Sequence, residues 1–306
     1  MSEAPAVGTS GIPCREECLL RPGNTNCGGC GMSVGLRFLG EALAEAGQRC
    51  SLVIPACCGI VTAGAFPTTS YGVPVVASTF ASAPAVASGM ASVRDLNGET
   101  DQVICWAGDG GTYDIGLATL SAAAERNENI IYVCYDNEIY GNTGGQRSSA
   151  TPPGARTATT PSGKPEQKKD IVAVMAAHGV PYAATLSIAH PEDFRRKLRT
   201  ALRLEGMRFL LMHSPCPTGW KSEPGESVEL VRLAVASGLF PLYEVRDGER
   251  YRINVEPDGT DPLEYFKRQR RFDLGRIDID EVRQACRRRI ERLRALSERF
   301  PIGAEA

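Results

Sequence analysis

The stretch "DQVICWAGDGGTYDIG" (residues 101–116) joins an apolar run to a glycine-rich turn that carries one acid. The apolar half predicts a buried strand. Gly108, Gly110 and Gly111 let a ligand approach the backbone closely, and the helix predicted after them offers free amide groups to phosphate oxygens. Asp109 would repel a phosphate unless a cation bridges the two, and Mg²⁺ binds oxygen ligands of this kind. Taken alone, the stretch predicts a strand that ends either in an ordinary turn or at a phosphate and magnesium site.

Apolar and amphipathic stretches alternate along the chain on both sides of this strand. Near-continuous apolar strands separated by helices are typical of an α/β fold, in which a mostly parallel sheet is covered by helices on both faces. Strands are predicted over 51–56, 101–108, 129–136, 182–187 and 208–214, and helices over 33–47, 78–95, 116–127, 170–179, 191–204 and 227–238.

The alternation of apolar strands and amphipathic helices ends after the last of these helices. "PLYEVRDGERYRINVE" (241–256) has a turn signal between two alternating runs, which predicts a hairpin. The stretch 280–300 predicts a charged amphipathic helix. We therefore divide the chain into an α/β domain over residues 1–245 and a C-terminal hairpin and helical extension over residues 246–306.

Composition excludes several classes of protein. The 306 residues carry a formal charge of −2, which argues against an electrostatic nucleic-acid binder. No apolar run approaches the ~20 residues that a membrane span needs. The start "MSEAPAVGTSGIP" lacks the basic and apolar segments of a secretory signal, so we expect a cytoplasmic protein. Eleven cysteines in a reducing compartment favour metal binding or redox chemistry over structural disulfides.

A second polar residue is expected at the same sheet edge as Asp109. Asn137 follows it by 28 residues (137 − 109), after one helix and one strand. In a parallel sheet this spacing returns the chain to the same carboxyl edge. The long polar connection 142–169 starts there too, and long loops at such an edge are often functional.

The turn "NTNCGGCG" (24–31) holds Cys27 and Cys30 with only glycines between them. From the residues alone, a disulfide, a redox couple, a zinc ion and an iron–sulfur cluster are all possible. Cys105 and Cys134 lie inside apolar strands and are interpreted as packing residues. His178, His190 and His213 have no recognisable partners and are interpreted as structural.

Five motifs occur in order between Glu17 and Glu244. Together they resemble the thiamine-diphosphate-binding beta subunit of the 2-oxoacid:ferredoxin oxidoreductases, the pyruvate:ferredoxin oxidoreductase family. The motifs are "CGGCG" (27–31), "PACCG" (55–59), "GDGGTYDIG" (108–116), "DNEIYGNTGGQRSSATPPGA" (136–155) and "HSPCPTGW" (213–220).

The resemblance implies thiamine diphosphate, with Mg²⁺ held by Asp109, Asn137 and the backbone carbonyl of Ile139. Asn142 is our candidate for a catalytic amide near the reacting carbon, with a turn-forming role as the alternative. Thr143 either contacts the diphosphate or shapes that turn.

The resemblance also implies a [4Fe-4S] cluster beside the thiamine site. Cys27, Cys30 and Cys216 match three of its ligands. Cys57 and Cys58 compete for the remaining position, and the family pattern favours Cys58. Cys14 and Cys18 are not part of that pattern and have no assigned role.

The implied reaction is the coenzyme A-dependent oxidative decarboxylation of a 2-oxoacid, with electrons passed through the cluster to ferredoxin. Pyruvate is the default substrate; oxalate, phenylglyoxylate and branched 2-oxoacids are open alternatives. An alpha subunit would complete the active site, and gamma and delta-type subunits would carry further clusters. Two other interpretations stay open: a non-redox thiamine decarboxylase or synthase with structural zinc, and a non-catalytic iron–sulfur electron-transfer subunit.

Overall fold

The computed structural model describes residues 19–64 and 68–303. Cys14 and Cys18 lie outside the described residues. Eight strands form one sheet in the order β2-β1-β3-β4-β6-β5-β7-β8, and the first six of these run parallel. The strands are β1 Cys50–Pro55, β2 Val75–Ser78, β3 Gln102–Gly108, β4 Ile131–Asp136, β5 Tyr182–Ser187, β6 Arg208–His213, β7 Leu242–Arg246 and β8 Arg250–Val255.

Helices connect the strands as the alternating pattern predicts, and the mostly parallel α/β fold is confirmed. The helices are α1 Gly31–Glu45, α2 Cys58–Ala63, α3 Ala83–Leu96, α4 Leu117–Glu125, α5 Ile171–Ala176, α6 Pro191–Arg203, α7 Pro217–Trp220, α8 Ser227–Ala236, α9 Leu263–Lys267 and α10 Ile279–Arg299. No helix within the described ranges combines the length and the apolar character that crossing a bilayer requires.

Two local predictions differ from the structure. The helix predicted over 78–95 begins only at Ala83, because Ser78 still belongs to the edge strand β2. Pro84 lies in the first turn of α3, where its missing N–H removes no helical hydrogen bond. The short elements β2 and α2 were not predicted, since four and six residues are too few to show a clear period.

The central strands β3, β4 and β6 are in register at their carboxyl ends. Gly108 is paired with Tyr135, and Asp136 is paired with His213. The residues that follow these three strands therefore emerge at one edge of the sheet. The chain passes from β1 to the outer strand β2 and then returns to β3 on the other side of β1, so this edge contains the switch point where ligands bind in open α/β sheets.

The predicted hairpin is β7 and β8, joined by a turn in which Asp247 and Gly248 both have positive φ (53° and 69°). Strand β7 pairs antiparallel with β5, so the hairpin extends the main sheet. The boundary proposed at residues 245 and 246 falls inside β7, and the division into two domains stays a prediction. Helix α10 packs against β8, and the Asp278 carboxylate caps its N-terminus by accepting the Glu281 N–H.

Candidate functional site

An open cleft lies at the carboxyl ends of β1, β3 and β4, with about 600 Å³ of empty space including the solvent at its mouth. Every residue predicted to contact thiamine diphosphate or its metal ion lines this cleft. These residues are Gly108, Asp109, Gly110, Gly111, Asn137, Ile139, Asn142 and Thr143, and the proposed cluster ligand Cys58 lines the cleft as well. Phe80, Tyr135 and Tyr140 also line it and were not predicted, because aromatic residues at these positions carry no motif.

The glycine turn after β3 is covered by a tyrosine ring. A Cβ on Gly110 would lie 2.2 Å from Cε1 of Tyr140, so only glycine fits beneath the ring. The Tyr140 hydroxyl donates to the Gly110 carbonyl at 3.1 Å and to Oδ2 of Asp114 at 3.2 Å. The turn continues as a π-helical turn over Gly110–Asp114, which leads into α4.

Asp109 is a buried carboxylate, 1% exposed, at the base of the cleft. It accepts a hydrogen bond from the Ser148 hydroxyl, and no basic side chain within the described ranges forms an ion pair with it. Burial raises the pKa of Asp109 well above its usual range, and the neighbouring charge of Asp136 raises it further. A divalent cation would stabilise the ionised form, so this buried acid fits a Mg²⁺ ligand.

Asn137 and Ile139 present their groups to the same cleft from a bend after β4. Glu138 between them has a φ of +64°, a left-handed conformation that is rare for residues other than glycine. The Asn137 side-chain oxygen accepts the Ile139 N–H at 3.3 Å, and the Asn137 carbonyl accepts the Trp220 indole N–H at 2.8 Å. The two predicted ligands are thereby fixed relative to each other.

The long connection predicted to be functional is folded against this edge. Its Ser148 bonds Asp109, and the Thr151 hydroxyl donates to the Glu138 carbonyl at 2.7 Å. Lys168 pairs with Asp136 at 2.6 Å and with Glu138 at 3.0 Å. Sequence reasoning identified the segment but none of these three residues, because their partners are distant in sequence.

The predicted thiols of the iron–sulfur site come from three segments that converge beside the cleft. The Cys27–Cys30 turn closes through a hydrogen bond from the Cys30 N–H to the Cys27 carbonyl, and the Gly31 N–H donates to the Pro215 carbonyl at 3.0 Å, next to Cys216. Burial raises the pKa of Cys58 to about 12, and the charges of Cys216, Cys57, Cys30 and Cys27 raise it as well. The four predicted ligands are therefore electrostatic neighbours.

Cys57 and Cys58 face different surroundings. Burial raises the pKa of Cys57, and the neighbouring Tyr135 hydroxyl and backbone N–H groups oppose this rise. For Cys58, the charges of Cys216, Cys30 and Cys27 are among the causes that raise the pKa. These surroundings favour Cys58, as the sequence did, and the assignment stays a prediction.

Within residues 19–64 and 68–303, no three histidine, cysteine, aspartate or glutamate side chains converge closely enough to hold one ion. A single tetrahedral zinc would need thiolates about 3.8 Å apart, given Zn–S bonds of about 2.3 Å. A [4Fe-4S] cluster binds each thiolate to a different iron and separates the sulfurs more widely. Of the three proposed Mg²⁺ ligands only Asp109 is one of these four residue types, so the magnesium site is not expected to appear as such a cluster.

The three histidines stand apart from the cleft lining. His213 is buried among Trp220, Phe240 and Tyr265, and burial lowers its pKa to about 3, so it is neutral at physiological pH. His178 contacts the Ser121 hydroxyl at 3.1 Å.

Comparison with known proteins agrees with the geometry of this edge. Residues 57–212 match the family described as "Thiamine pyrophosphate enzyme, C-terminal TPP binding domain". Pyruvate synthase subunit PorB of Methanothermobacter thermautotrophicus is 46% identical over 264 residues, which cover 84% of this chain and 90% of that protein. Ketoisovalerate oxidoreductase subunit VorB of Pyrococcus horikoshii is 42% identical over 293 residues, which cover 91% of this chain and 93% of that protein. The chain belongs to the 2-oxoacid:ferredoxin oxidoreductase family.

As a member of this family, the chain is a thiamine-diphosphate-dependent enzyme component of the beta-subunit type. Its fold also resembles that of the 2-oxoglutarate:ferredoxin oxidoreductase from Magnetococcus marinus, with a TM-score of 0.60 at 24% identity over 73% of this chain and 82% of that one. The resemblance inferred from the five motifs is thus confirmed. The individual site residues, the magnesium ion and the cluster stay predictions.

Proposed function

We propose that this beta subunit takes part in the coenzyme A-dependent oxidative decarboxylation of a 2-oxoacid, and that electrons leave through a [4Fe-4S] cluster to ferredoxin. Pyruvate is the first candidate substrate, because the name of the relative at 46% identity specifies pyruvate synthase. A branched 2-oxoacid is the second, since the name of a relative at 42% identity specifies ketoisovalerate.

One observation carries the proposal. Asp109, a buried acid without a basic partner in the described part of the chain, lines the same cleft as Asn137 and Ile139, at the switch point of the sheet. A carboxylate, an amide oxygen and a backbone carbonyl are the hard oxygen ligands that Mg²⁺ prefers. The glycine backbone beside them provides room and amide groups for a diphosphate.

The residues of this chain bind and orient rather than transfer protons. Thiamine diphosphate, when bound, supplies the electron sink for decarboxylation. Asp109, Asn137 and the Ile139 carbonyl would hold the metal ion that neutralises its diphosphate. Asn142 offers an uncharged amide at the cleft wall, where it can donate to a substrate oxygen without titrating.

The proposed cluster site adjoins the thiamine cleft through Cys58, which lines the cleft and is also an electrostatic neighbour of Cys27, Cys30 and Cys216. The Gly219 N–H donates to the Cys216 sulfur at 3.3 Å, and such bonds tune cluster potentials. A short path between the two cofactors supports electron transfer within one chain.

The proposed assembly includes an alpha subunit that completes the active site, together with gamma and delta-type subunits and ferredoxin. We propose a cytoplasmic location, as expected from the sequence.

Anaerobic purification of the assembled complex, followed by iron, sulfide, zinc and thiamine analysis, tests the cofactors. We expect iron and sulfide in equal amounts together with thiamine diphosphate. Zinc without sulfide would instead support a non-redox thiamine enzyme, and a cluster without thiamine would support an electron-transfer subunit. Ferredoxin reduction with pyruvate, 2-ketoisovalerate, oxalate and phenylglyoxylate, each with and without coenzyme A, then identifies the substrate and tests the acyl acceptor.

A further inference from the structure

Glu138 stands between two residues of the proposed magnesium site, yet its carboxylate is buried away from the cleft lining. Its left-handed backbone conformation turns the chain so that Asn137 and Ile139, on either side of it, both line the cleft. In an extended chain the side chains of residues 137 and 139 would share a face, but the backbone carbonyl of Ile139 would point sideways, across the direction of the Asn137 side chain. The left-handed turn at Glu138 therefore sets the direction of the Ile139 carbonyl relative to the Asn137 amide.

Every polar group of Glu138 has a partner. Its N–H donates to Oδ1 of Asp136 at 3.0 Å, and its carbonyl accepts from the Thr151 hydroxyl at 2.7 Å. One carboxylate oxygen pairs with Lys168 at 3.0 Å and the other with Arg271 at 2.5 Å. A rare backbone conformation persists where its surroundings fix it in this way.

Arg271 supports the bend at two points. Besides its ion pair with Glu138, its guanidinium stacks over the Trp220 ring at 4.6 Å from the ring centroid, and the Trp220 indole N–H donates to the Asn137 carbonyl. Arg271 itself is 1% exposed and is held by the side chain of Gln269 at 2.8 Å. It belongs to the segment after α9, within the predicted C-terminal extension.

Two acids and two bases share this buried region: Asp136, Glu138, Lys168 and Arg271. Each base pairs with at least one of these buried acids, and removing one partner of a buried ion pair is destabilising. Lys168 also reaches the region from the long connection after β4. The long connection and the C-terminal extension thus each place one basic side chain beside the same bend.

We propose that Arg271 and Lys168 are positioning residues that hold Glu138 in its left-handed conformation and so fix Asn137 and the Ile139 carbonyl for the metal ion. The inference rests on the proposed function of this edge as a Mg²⁺–diphosphate site. It assigns to the C-terminal extension a direct part in cofactor affinity.

The test measures the binding of Mn²⁺, used as a spectroscopic substitute for Mg²⁺, to the intact complex in the presence of thiamine diphosphate. Electron paramagnetic resonance of free Mn²⁺ gives the dissociation constant without any turnover. We expect Arg271→Met to weaken Mn²⁺ binding about 10- to 100-fold, the range typical for outer-shell partners of a metal site. Arg271→Lys keeps the charge but not the planar stacking, and an intermediate loss is expected.

Arg270→Gln is the matched control. Arg270 is the neighbouring arginine, its side chain is 79% exposed, and it pairs only with Glu223 at the surface among the described ion pairs. The control should bind Mn²⁺ like the wild type. In Arg271→Met, saturating Mg²⁺ and thiamine diphosphate should restore kcat, because the bend is shifted rather than destroyed, while the apparent KM for the cofactor stays raised.

Wild-type Mn²⁺ affinity in a folded Arg271→Met complex would overturn the inference while leaving the proposed function intact. Absence of Mn²⁺ and thiamine binding in the wild type and in Arg270→Gln would overturn both. If the Arg271→Met complex fails to assemble, a double variant with Glu138→Gln and Arg271→Met removes both charges at once. This double variant should also bind Mn²⁺ more weakly than Arg270→Gln does. Equal Mn²⁺ binding by the two would refute the positioning role of Arg271.

Discussion

Gly31, the first residue of α1, offers a sharp test of how the thiol segments fit together. A Cβ at this position would lie 2.3 Å from Cδ of Pro215, 2.8 Å from the Pro215 nitrogen and 3.0 Å from Cα of Ser214. These atoms belong to a proline ring and to the backbone, so they cannot rotate out of the way. Gly31→Ala therefore forces the Cys27–Cys30 turn away from the segment that carries Cys216.

The size of the effect follows from these distances. Ordinary contacts begin at 3.4 Å, so the segments must separate by about 1.1 Å (3.4 − 2.3). Overpacking of this kind costs about 1–3 kcal/mol, and the better helix propensity of alanine offsets up to about 1 kcal/mol of it. Metal–ligand distances tolerate only about 0.2 Å, so the displacement should affect the cluster more than the stability of the fold.

The assay compares Gly31→Ala with Gly28→Ala in the anaerobically purified complex. A Cβ on Gly28 meets nothing closer than 4.0 Å, so this variant changes the same turn without a clash. We expect Gly28→Ala to retain wild-type iron and sulfide and Gly31→Ala to lose most of both, while thiamine diphosphate binding survives in each. Equal iron and sulfide contents in the two variants would refute the packing argument.

Three further predictions concern the cleft and the core. Asp109→Asn should weaken Mg²⁺-dependent thiamine binding by more than about 100-fold, because loss of an outer-shell partner already lowers metal affinity about 10- to 100-fold and Asp109 is a proposed direct ligand. Unchanged thiamine binding by calorimetry would contradict the proposed site. Gly110→Ala should displace the Tyr140 ring, because its Cβ would lie 2.2 Å from that ring, and should lower thiamine affinity but not iron content. Burial lowers the pKa of Lys197 to about 8 from its ordinary value of 10.5, so between these pH values the unfolded chain binds more protons than the folded one. From pH 7 to pH 10.5 the free energy of unfolding of the wild type should therefore rise by up to about 3 kcal/mol relative to that of Lys197→Met. Urea unfolding midpoints that change equally with pH in the two proteins would disprove this.

The fold and the cleft could be predicted because both follow from short-range patterns. Buried parallel strands such as Ile131–Asp136 are apolar throughout, and their ends carry the polar residues of the site. Asp109 and Asn137 could be placed together from spacing alone, since successive parallel strands end at one edge. The edge strand Val75–Ser78 has no buried residue and too few residues to show a period, so it was not predicted, and its last residue was assigned to the following helix.

The partners of the bend at Glu138 could not be predicted in the same way. Lys168 lies 30 residues away and Arg271 lies 133 residues away, and neither distance corresponds to a helix or strand period. Both residues stand in polar, charged stretches that resemble solvated surface. Arg271 is buried because the C-terminal segment packs onto α7, where its guanidinium stacks on Trp220, whereas its neighbour Arg270 is exposed. This difference depends on tertiary packing and is not visible in the sequence.

The adjacent cysteines after β1 show how one strand end can serve two sites. Cys57 is extended (φ −165°, ψ 177°) and lines the thiamine cleft together with Tyr135. Cys58 begins α2 and is the thiol perturbed by Cys27, Cys30 and Cys216. Cys57 and Cys58 both line the thiamine cleft, so a shift of the cleft wall at this strand end would also move the proposed cluster ligand Cys58. The proposed cluster ligand and the proposed thiamine site thus share one strand end, which supports the proposal that electrons pass between the two cofactors within one chain.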